Sequence, residues 1–412
     1  MHGDGTNPAI TRPDMPAARL LDLTRSLRRA GRMATGVDRV ERAYLDHFVS
    51  DELPAFGLIR TVFGYVLLDR AGMIAFRERL SGTVNWGHAS VLSRLPKGRD
   101  QALIRAESDI RRLAVARCLP LRLDRMLQTH LPSDFAYFNI GHSNLTERVL
   151  QSVKSASGSI DVMIHDVIPL EHPEYQRPGT TMPFRDKLQR VRSHADRIIY
   201  NSLDTCQRAE AMMQAWGPLP RGVVAHLGAS AAVPMRAELP DGLTPARPYF
   251  VVVGTIEPRK NHQFLLDIWQ ELGRDAPPLL ICGSRGWNNE AVFARLDALP
   301  PDSPVKELPN LSDGALATLV AGSAGLLFPS HAEGFGLPPI EALQLRTRVL
   351  CNDLAVLREI IGDHASFAPV FDQELWVKTI ECWKNTPPNA TKESVFVGPN
   401  WADHFKTVLR LR

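Results

Sequence analysis

Two acidic and two basic residues stand in surroundings that suit ligand chemistry. Glu333 and Glu341 flank Gly334-Phe335-Gly336-Leu337-Pro-Pro-Ile, where an apolar run ending at Phe328 passes into a loop and then into a helix opened by Pro338 and Pro339. Gly334 and Gly336 let backbone N–H groups approach a ligand closely. The helix N-terminus that follows favours phosphate or hydroxyl-rich partners, and the two carboxylates are spaced to reach opposite ends of one ligand. Taken singly, Glu341 reads as a first-turn acid that complements the helix dipole and Glu333 as a solvated loop residue. A second segment has the same logic. The apolar run Phe250 to Val253 leads into Gly254-Thr255-Ile-Glu-Pro-Arg259-Lys260-Asn-His, with two cations where a helix begins. The guanidinium fork, the compact ammonium and the helix terminus together would cradle a diphosphate. An Arg-Lys pair on a surface is ordinarily just solvated, but the shared strand, glycine and loop context argues for a ligand. The expected work of both cations is charge stabilisation and not packing.

Such loops function only on the carboxyl ends of strands in open α/β sheets. The chain alternates accordingly. Arg19 to Thr24 reads as a short buried strand, followed by an Arg-rich loop and a helix-period run through Val37, Val40, Tyr44, Leu45 and Phe48. Strand-length apolar runs at Phe135 to Ile140, Ile160 to Ile164 and Arg197 to Tyr200 alternate with amphipathic stretches, the pattern of parallel α/β units. The expected organisation is a frayed tail at 1–17, an N-terminal α/β domain at 18–226, a linker at 227–248, a second α/β domain at 249–390 and a terminal segment at 391–412. In the second domain Phe264 to Leu272 and Ser312 to Ala321 read as helices, the latter capped by Ser312, and Pro278 to Cys282 and Ala324 to Phe328 as strands.

Composition narrows the function classes. A formal charge of +3 in 412 residues, from 48 Lys+Arg and 45 Asp+Glu, does not mark a general nucleic-acid binder. The five cysteines lie far apart without metal-ligand spacing, which suits a reducing cytosol. No apolar signal region opens the chain, and no window approaches the ~18 apolar residues of a membrane span. The expected location is therefore cytoplasmic. Asp-x-Asp, G-x-G-x-x-G, G-x-x-x-x-G-K-[ST] and G-x-S-x-G are all absent, against metal-diphosphate, dinucleotide, P-loop and hydrolase chemistry.

The E-G-F-G-L-P-x-x-E loop, together with G-T-x-E-P-R-K-N, resembles the retaining glycosyltransferases of family 4. The likeness extends to His165-Asp-Val-Ile-Pro-Leu, Gly283-Ser-Arg-Gly-Trp287, Leu311-Ser-Asp-Gly-Ala-Leu and a terminal Trp401-x-x-x-Phe405 helix. It implies a GT-B fold: two Rossmann-like domains facing across a cleft, with the C-terminal helix returning to the N-terminal domain. It implies that Glu333 contacts the donor sugar, that Glu341 holds the ribose, that Arg259 and Lys260 take the diphosphate, and that His165 faces the transferred sugar. Gly254, Thr255, Gly334, Phe335, Gly336 and Leu337 would complete the donor site, and Thr35 and Gly36 a loop near phosphate and acceptor. The segment Ala342-Leu-Gln-Leu-Arg346-Thr-Arg348 departs from the small Gly- and Pro-containing turn of relatives.

The resemblance implies a retaining, metal-independent transferase with no cofactor. Its partners would be a sugar nucleotide and a saccharide or lipid-linked acceptor, with no nucleic acid. The wording of the motifs is most similar to mannosyltransferases of bacterial surface polysaccharides, making GDP-mannose the expected donor. A UDP-sugar transferase, a GT-B epimerase and a catalytically silent binding protein are the alternatives. From Arg70 to Arg125 basic residues exceed acidic ones by seven. If Arg105, Arg111 and Arg112 share helices with Leu103, Ile110 and Leu113, this stretch would dock on anionic lipid at the inner face of the cytoplasmic membrane; otherwise it is a solvated face.

Overall fold

The computed structural model of the protein describes residues 15–91, 100–243, 248–386 and 396–410. The strands of the first half are β1 (Ala18–Asp22), β2 (Ala55–Thr61), β3 (Gly64–Leu68), β4 (Ala116–Cys118), β5 (Phe135–Asn139), β6 (Ser159–Ile164), β7 (Arg197–Tyr200) and β8 (Arg221–Val224). They form one sheet in the order β4-β3-β2-β1-β5-β6-β7-β8. Every residue of β1, β5 and β7 is buried, as expected of apolar strands covered on both faces by helices. The sheet is not parallel throughout, a correction to the sequence reading. β3 runs antiparallel to β2, with Thr61 opposite Gly64, and β4 runs antiparallel to β3. A connection of only Val62 and Phe63 can join antiparallel neighbours and nothing else. The first strand also ends earlier than expected: Asp22 Oδ1 accepts from the Thr24 amide at 3.0 Å, turning the chain into the short helix Thr24–Arg28.

The second sheet comprises β9 (Phe250–Val253), β10 (Leu279–Cys282), β11 (Val305–Leu308), β12 (Gly325–Phe328), β13 (Val349–Cys351) and β14 (Ser366–Phe367), in the order β11-β10-β9-β12-β13-β14. All its pairings are parallel. β9 and β12 are direct neighbours, with Phe250 opposite Gly325, so the loops leaving their carboxyl ends emerge side by side.

One apolar cluster runs through both halves, from Leu21, Tyr44 and Phe138 by way of Leu227 to Val251, Phe328 and Phe335, and it includes Phe405 and Val408 of the helix Trp401–Arg410. That helix returns to the first sheet's helix Gly36–Ser50. His47 and Phe405 stack at 3.8 Å, and the Tyr44 hydroxyl donates to His404 Nε2 at 2.8 Å. His404 Nδ1 donates to the carbonyls of Ala225 and His226 at 3.2 and 3.0 Å. Burial holds this imidazole at about 4, so it remains neutral as the tautomer its partners require.

A buried acid lies beneath the first sheet's carboxyl-end loops. Glu41 Oε1 accepts from the Ser26 amide at 2.8 Å and from the Ser26 hydroxyl. Burial, with Asp22 adding to it, pushes this carboxyl up to about 8 against the opposing Ser26 hydrogen bonds. The folded protein therefore holds a proton that the unfolded chain releases near 4.5. Its stabilising effect is complete below the unfolded value and declines as pH rises toward 8. Glu41→Gln is expected to raise stability relative to wild type at pH 9 more than at pH 4, as read by urea denaturation; an equal change at both values would refute the buried neutral acid.

Candidate active site

The Gly254 loop leaves β9, forms a 3-10 turn at Pro258–Lys260, passes through Asn261 at φ 54°, and enters the helix His262–Leu272. The Glu333 loop leaves β12 beside it. Gly336, at φ 92°, caps the helix Leu337–Gln344 in a conformation that favours glycine. The loops are stitched together by the His331 amide on the Arg259 carbonyl at 2.8 Å and by Arg259 Nη1 on the Ala332 carbonyl at 2.8 Å.

Glu333 occupies the centre of this pair of loops. Lys260 Nζ donates to its Oε1 at 2.6 Å and Arg259 Nη1 to its Oε2 at 2.8 Å. Arg259 also pairs with Glu257 at 2.7 Å, and Lys260 Nζ lies 4.5 Å from the centre of the Phe328 ring. Burial alone would raise the Glu333 carboxyl, but the field of Arg259 and Lys260 and the hydrogen bonds to it prevail and hold it at about 2. Both cations are thus packed and partnered, contrary to the expectation that they act without structural consequence. Breaking a buried pair leaves an uncompensated charge.

The helix N-terminus offers less to an anion than its position suggested. Pro338 and Pro339 fill two of its first four positions and carry no N–H, so the donors left are the amide of Leu337 and those of the glycine loop. Phe335 is buried, and Leu337 touches the opposite domain. Glu341 stands in the second turn, so it is not a first-turn acid. It pairs across the cleft with Arg39 Nη1 at 2.6 Å. Beside this pair lies a pocket lined by Val253, Leu316 and Pro338, with Asp313 as a second acid on its wall.

The first domain presents His165 at the end of β6. Its Nε2 donates to the Ile140 carbonyl at 2.7 Å, and burial, partly opposed by that bond, depresses the imidazole to about 4. The His165 carbonyl lies so near Gly334 that a Cβ there would sit 2.2 Å away, and it also accepts from Asn201 Nδ2 at 2.9 Å. Thr205 Oγ1 donates back to the Gly334 carbonyl at 3.2 Å. Farther along the cleft, Trp287 Nε1 donates to the Tyr175 carbonyl at 3.0 Å and Asn288 Nδ2 to that of Gln176 at 2.6 Å.

Thr35 and Gly36 do not form an open glycine turn. Thr35 caps the helix Gly36–Ser50 in a reciprocal box with Asp38, and Gly36, its first residue, abuts Leu337 across the cleft. Sequence reasoning missed Arg39, Glu257 and Asp38. Of these, only Glu257 left a signal, its place inside the G-T-x-E-P-R-K-N run.

The basic stretch behaves differently from expectation. Gln101–Leu113 is one helix, but Ile110 is fully buried, and Arg79 and Arg112 both pair with Asp109 at 2.9 and 2.5 Å. Its apolar residues face the core because burial sets the phase of an amphipathic helix. Arg94, Lys97 and Arg99 lie outside the described residues. Exposed apolar side chains occur instead at Val115, Leu119 and Leu121, next to exposed Arg117 and Arg122. No helix among the described residues is long and apolar enough to cross a membrane.

Two α/β domains in contact across a cleft, with ligand-type loops at strand ends, define the GT-B fold. The solved structure of Anabaena Alr3699/HepE in complex with UDP and glucose superimposes with a TM-score of 0.61 at 14% identity, covering 91% of this chain and 92% of that one. The lipopolysaccharide outer core galactosyltransferase WaaB in its apo form gives 0.52 at 14% identity, covering 89% of this chain and 90% of that one. Residues 240–394 match the family Glycosyl transferases group 1, so this chain carries a glycosyl transferases group 1 domain. It is 34% identical over 250 residues to the serotype-specific mannosyltransferase WbdA of Escherichia coli, a match covering 57% of this chain and 31% of that protein. It is 33% identical over 118 residues to the O-antigen chain mannosyltransferase B of Escherichia coli, covering 28% of this chain and 31% of that protein. The chain thus spans about a third of the length of the curated relatives it matches.

Proposed function

We propose that the protein is a retaining glycosyltransferase that moves mannose from GDP-mannose to a saccharide or lipid-linked acceptor in bacterial surface polysaccharide or glycolipid synthesis. The observation that carries this reading is the meeting of Lys260, Arg259 and Glu333, within 2.6 to 2.8 Å, on a loop that touches His165 of the facing domain. Glu333 itself supplies the anion to both cations. A donor diphosphate would take over those donors and leave Glu333 to a hydroxyl of the sugar. As the nucleoside diphosphate departs, Arg259, Lys260 and the loop amides stabilise the charge that develops on it. Neutral His165, its Nε2–H tied to a carbonyl, keeps Nδ1 as an acceptor for a sugar hydroxyl. The acceptor hydroxyl approaches from the leaving-group face and its proton passes to the departing phosphate, so the anomeric configuration is kept without a protein nucleophile. Glu341, once released by Arg39, would take the ribose hydroxyls beside the wall formed by Val253, Leu316 and Pro338.

The choice of mannose is supported by the mannosyltransferase relatives; Glu341 would serve the ribose of any nucleotide. Incubated with GDP-mannose, UDP-glucose, UDP-galactose and UDP-N-acetylglucosamine, the protein should show its largest thermal shift with the first. Preference for a uridine nucleotide would overturn the donor choice, and absence of nucleoside diphosphate release with any acceptor the transferase reading. Two cations in place of a metal ion predict that release survives excess EDTA. We further propose a cytoplasmic enzyme whose face at Val115, Leu119 and Leu121, with Arg117 and Arg122, rests on anionic lipid. Failure to sediment with anionic vesicles at low salt would remove that contact.

A further inference from the structure

A second cationic cluster lies on the facing domain, away from Arg259 and Lys260. At its centre is the loop from Ile140 to Leu145, which follows β5. The Ile140 carbonyl holds His165, while Gly141 packs on Arg25 so closely that a Cβ would lie 2.9 Å from that side chain. His142, at φ 55°, donates from Nε2 to the Met163 carbonyl at 2.5 Å, and its ring centre is 5.4 Å from that of His165 and 6.2 Å from that of Phe184. The helix Thr181–His194 closes the group: Lys187 Nζ lies 5.6 Å from the centre of the Phe184 ring, and Arg190 Nε donates to the Leu145 carbonyl at 2.9 Å.

The negative charge needed to balance these cations is missing. Arg25 and Arg29 share one carboxylate, Asp38, at 2.6 and 3.0 Å. Among the described residues neither Lys187 nor Arg190 is paired with an acid; the neighbouring Glu147 is taken by His194 at 2.8 Å. Glu41, whose Oε2 would be the first atom met by a Cβ at Gly141, is held neutral up to about 8, and burial pushes the Asp22 carboxyl up against the hydrogen bonds from Asn144 and Tyr137 at 2.8 and 2.9 Å. Burial, then Arg190 and Arg25, pull the Lys187 ammonium below its ordinary value. The Arg259 and Lys260 cluster is different, since Glu257 and Glu333 match its charges one for one.

We infer that this cluster is the seat of a phosphate ester on the acceptor, held between Arg25 on one side and Lys187 and Arg190 on the other, with the accepting sugar beside His142 and His165. The inference rests on the transferase reading and adds the chemical class of the acceptor. A multi-oxygen anion can take the guanidinium fork and the ammonium at once. The cluster adjoins the His165 carbonyl that meets Gly334, which puts a sugar carrying the phosphate next to the transfer site.

Titration calorimetry with N-acetylglucosamine 1-phosphate and with N-acetylglucosamine, each with and without saturating GDP, tests this. The phosphate should bind about 10- to 100-fold more tightly than the neutral sugar in both conditions. Lys187→Ala should reduce that ratio to about 3-fold or less, and Lys187→Arg should retain most of it, with GDP affinity unchanged in both. Equal binding of the two sugars, no binding of either, or an unchanged ratio in Lys187→Ala would overturn the site. Glucuronate binding as tightly as the phosphate would overturn the choice of phosphate. The same sugar as a prenyl diphosphate in detergent separates the sources: tighter binding than the 1-phosphate assigns a lipid-linked acceptor, equal binding a soluble phosphate ester. GDP that fails to bind counts against the GDP-mannose reading, whereas equal sugar affinities with GDP bound count against the anion site alone.

Discussion

Lys260→Ala is expected to lower turnover by about 10²- to 10³-fold and also to lower the melting temperature, and adding Glu333→Gln is expected to restore the second without the first. The ammonium is buried and lies 2.6 Å from Glu333 Oε1, so its removal leaves that carboxylate with Arg259 as its remaining cation. Truncating one member of a buried pair costs roughly 3 kcal/mol, and Arg259 keeps the loss at or below that figure. Glu333→Gln removes the charge that needs compensation but returns no cation to a departing diphosphate. The rate, measured as nucleoside diphosphate release with acceptor, therefore stays low in the double variant while thermal stability recovers. A double variant that regains turnover would show that Lys260 acts only by holding Glu333 and would remove the diphosphate site.

Gly334→Ala is expected to lower turnover by about 100-fold while each domain stays folded. A Cβ at this position would meet the His165 carbonyl oxygen at 2.2 Å and Asp166 Cβ at 3.0 Å, and neither is the far end of a flexible side chain. The same contact is held from both sides, by Asn201 on the His165 carbonyl and Thr205 on the Gly334 carbonyl. The methyl group must therefore push the two domains apart. A displacement near 1 Å at the reacting groups is enough for a loss of that size. The proposed ribose contact, Glu341, stands in the helix that follows the loop, so GDP affinity by calorimetry should change much less than the rate. Wild-type turnover in Gly334→Ala would mean that the contact between Gly334 and His165 plays no part in transfer.

Both loops at the centre of these experiments were legible as sequence. A strand, a glycine, a polar loop and a helix start are local patterns, and burial period alone announced β9 and β12 on either side of Lys260 and Glu333. The terminal helix was legible through the family resemblance, which includes Trp401-x-x-x-Phe405. The partners of these residues were not. Lys260 and Glu333 are 73 positions apart and meet because β9 and β12 are paired in register, and a strand pattern says nothing about which strand will be its neighbour. Glu341 reads as a dipole acid until the fold brings Arg39 against it, and Thr35 and Gly36 as a loop near phosphate and acceptor until Asp38 closes the cap. The antiparallel edge came from a two-residue connection between β2 and β3 that an α/β alternation passes over. The cluster of Arg25, His142, Lys187 and Arg190 had no signature, since its members come from separate segments and none belongs to a motif. Periodicity records which face of an element is buried, whereas charge balance at a site depends on which elements the fold packs together, and that is settled only when the whole chain has folded.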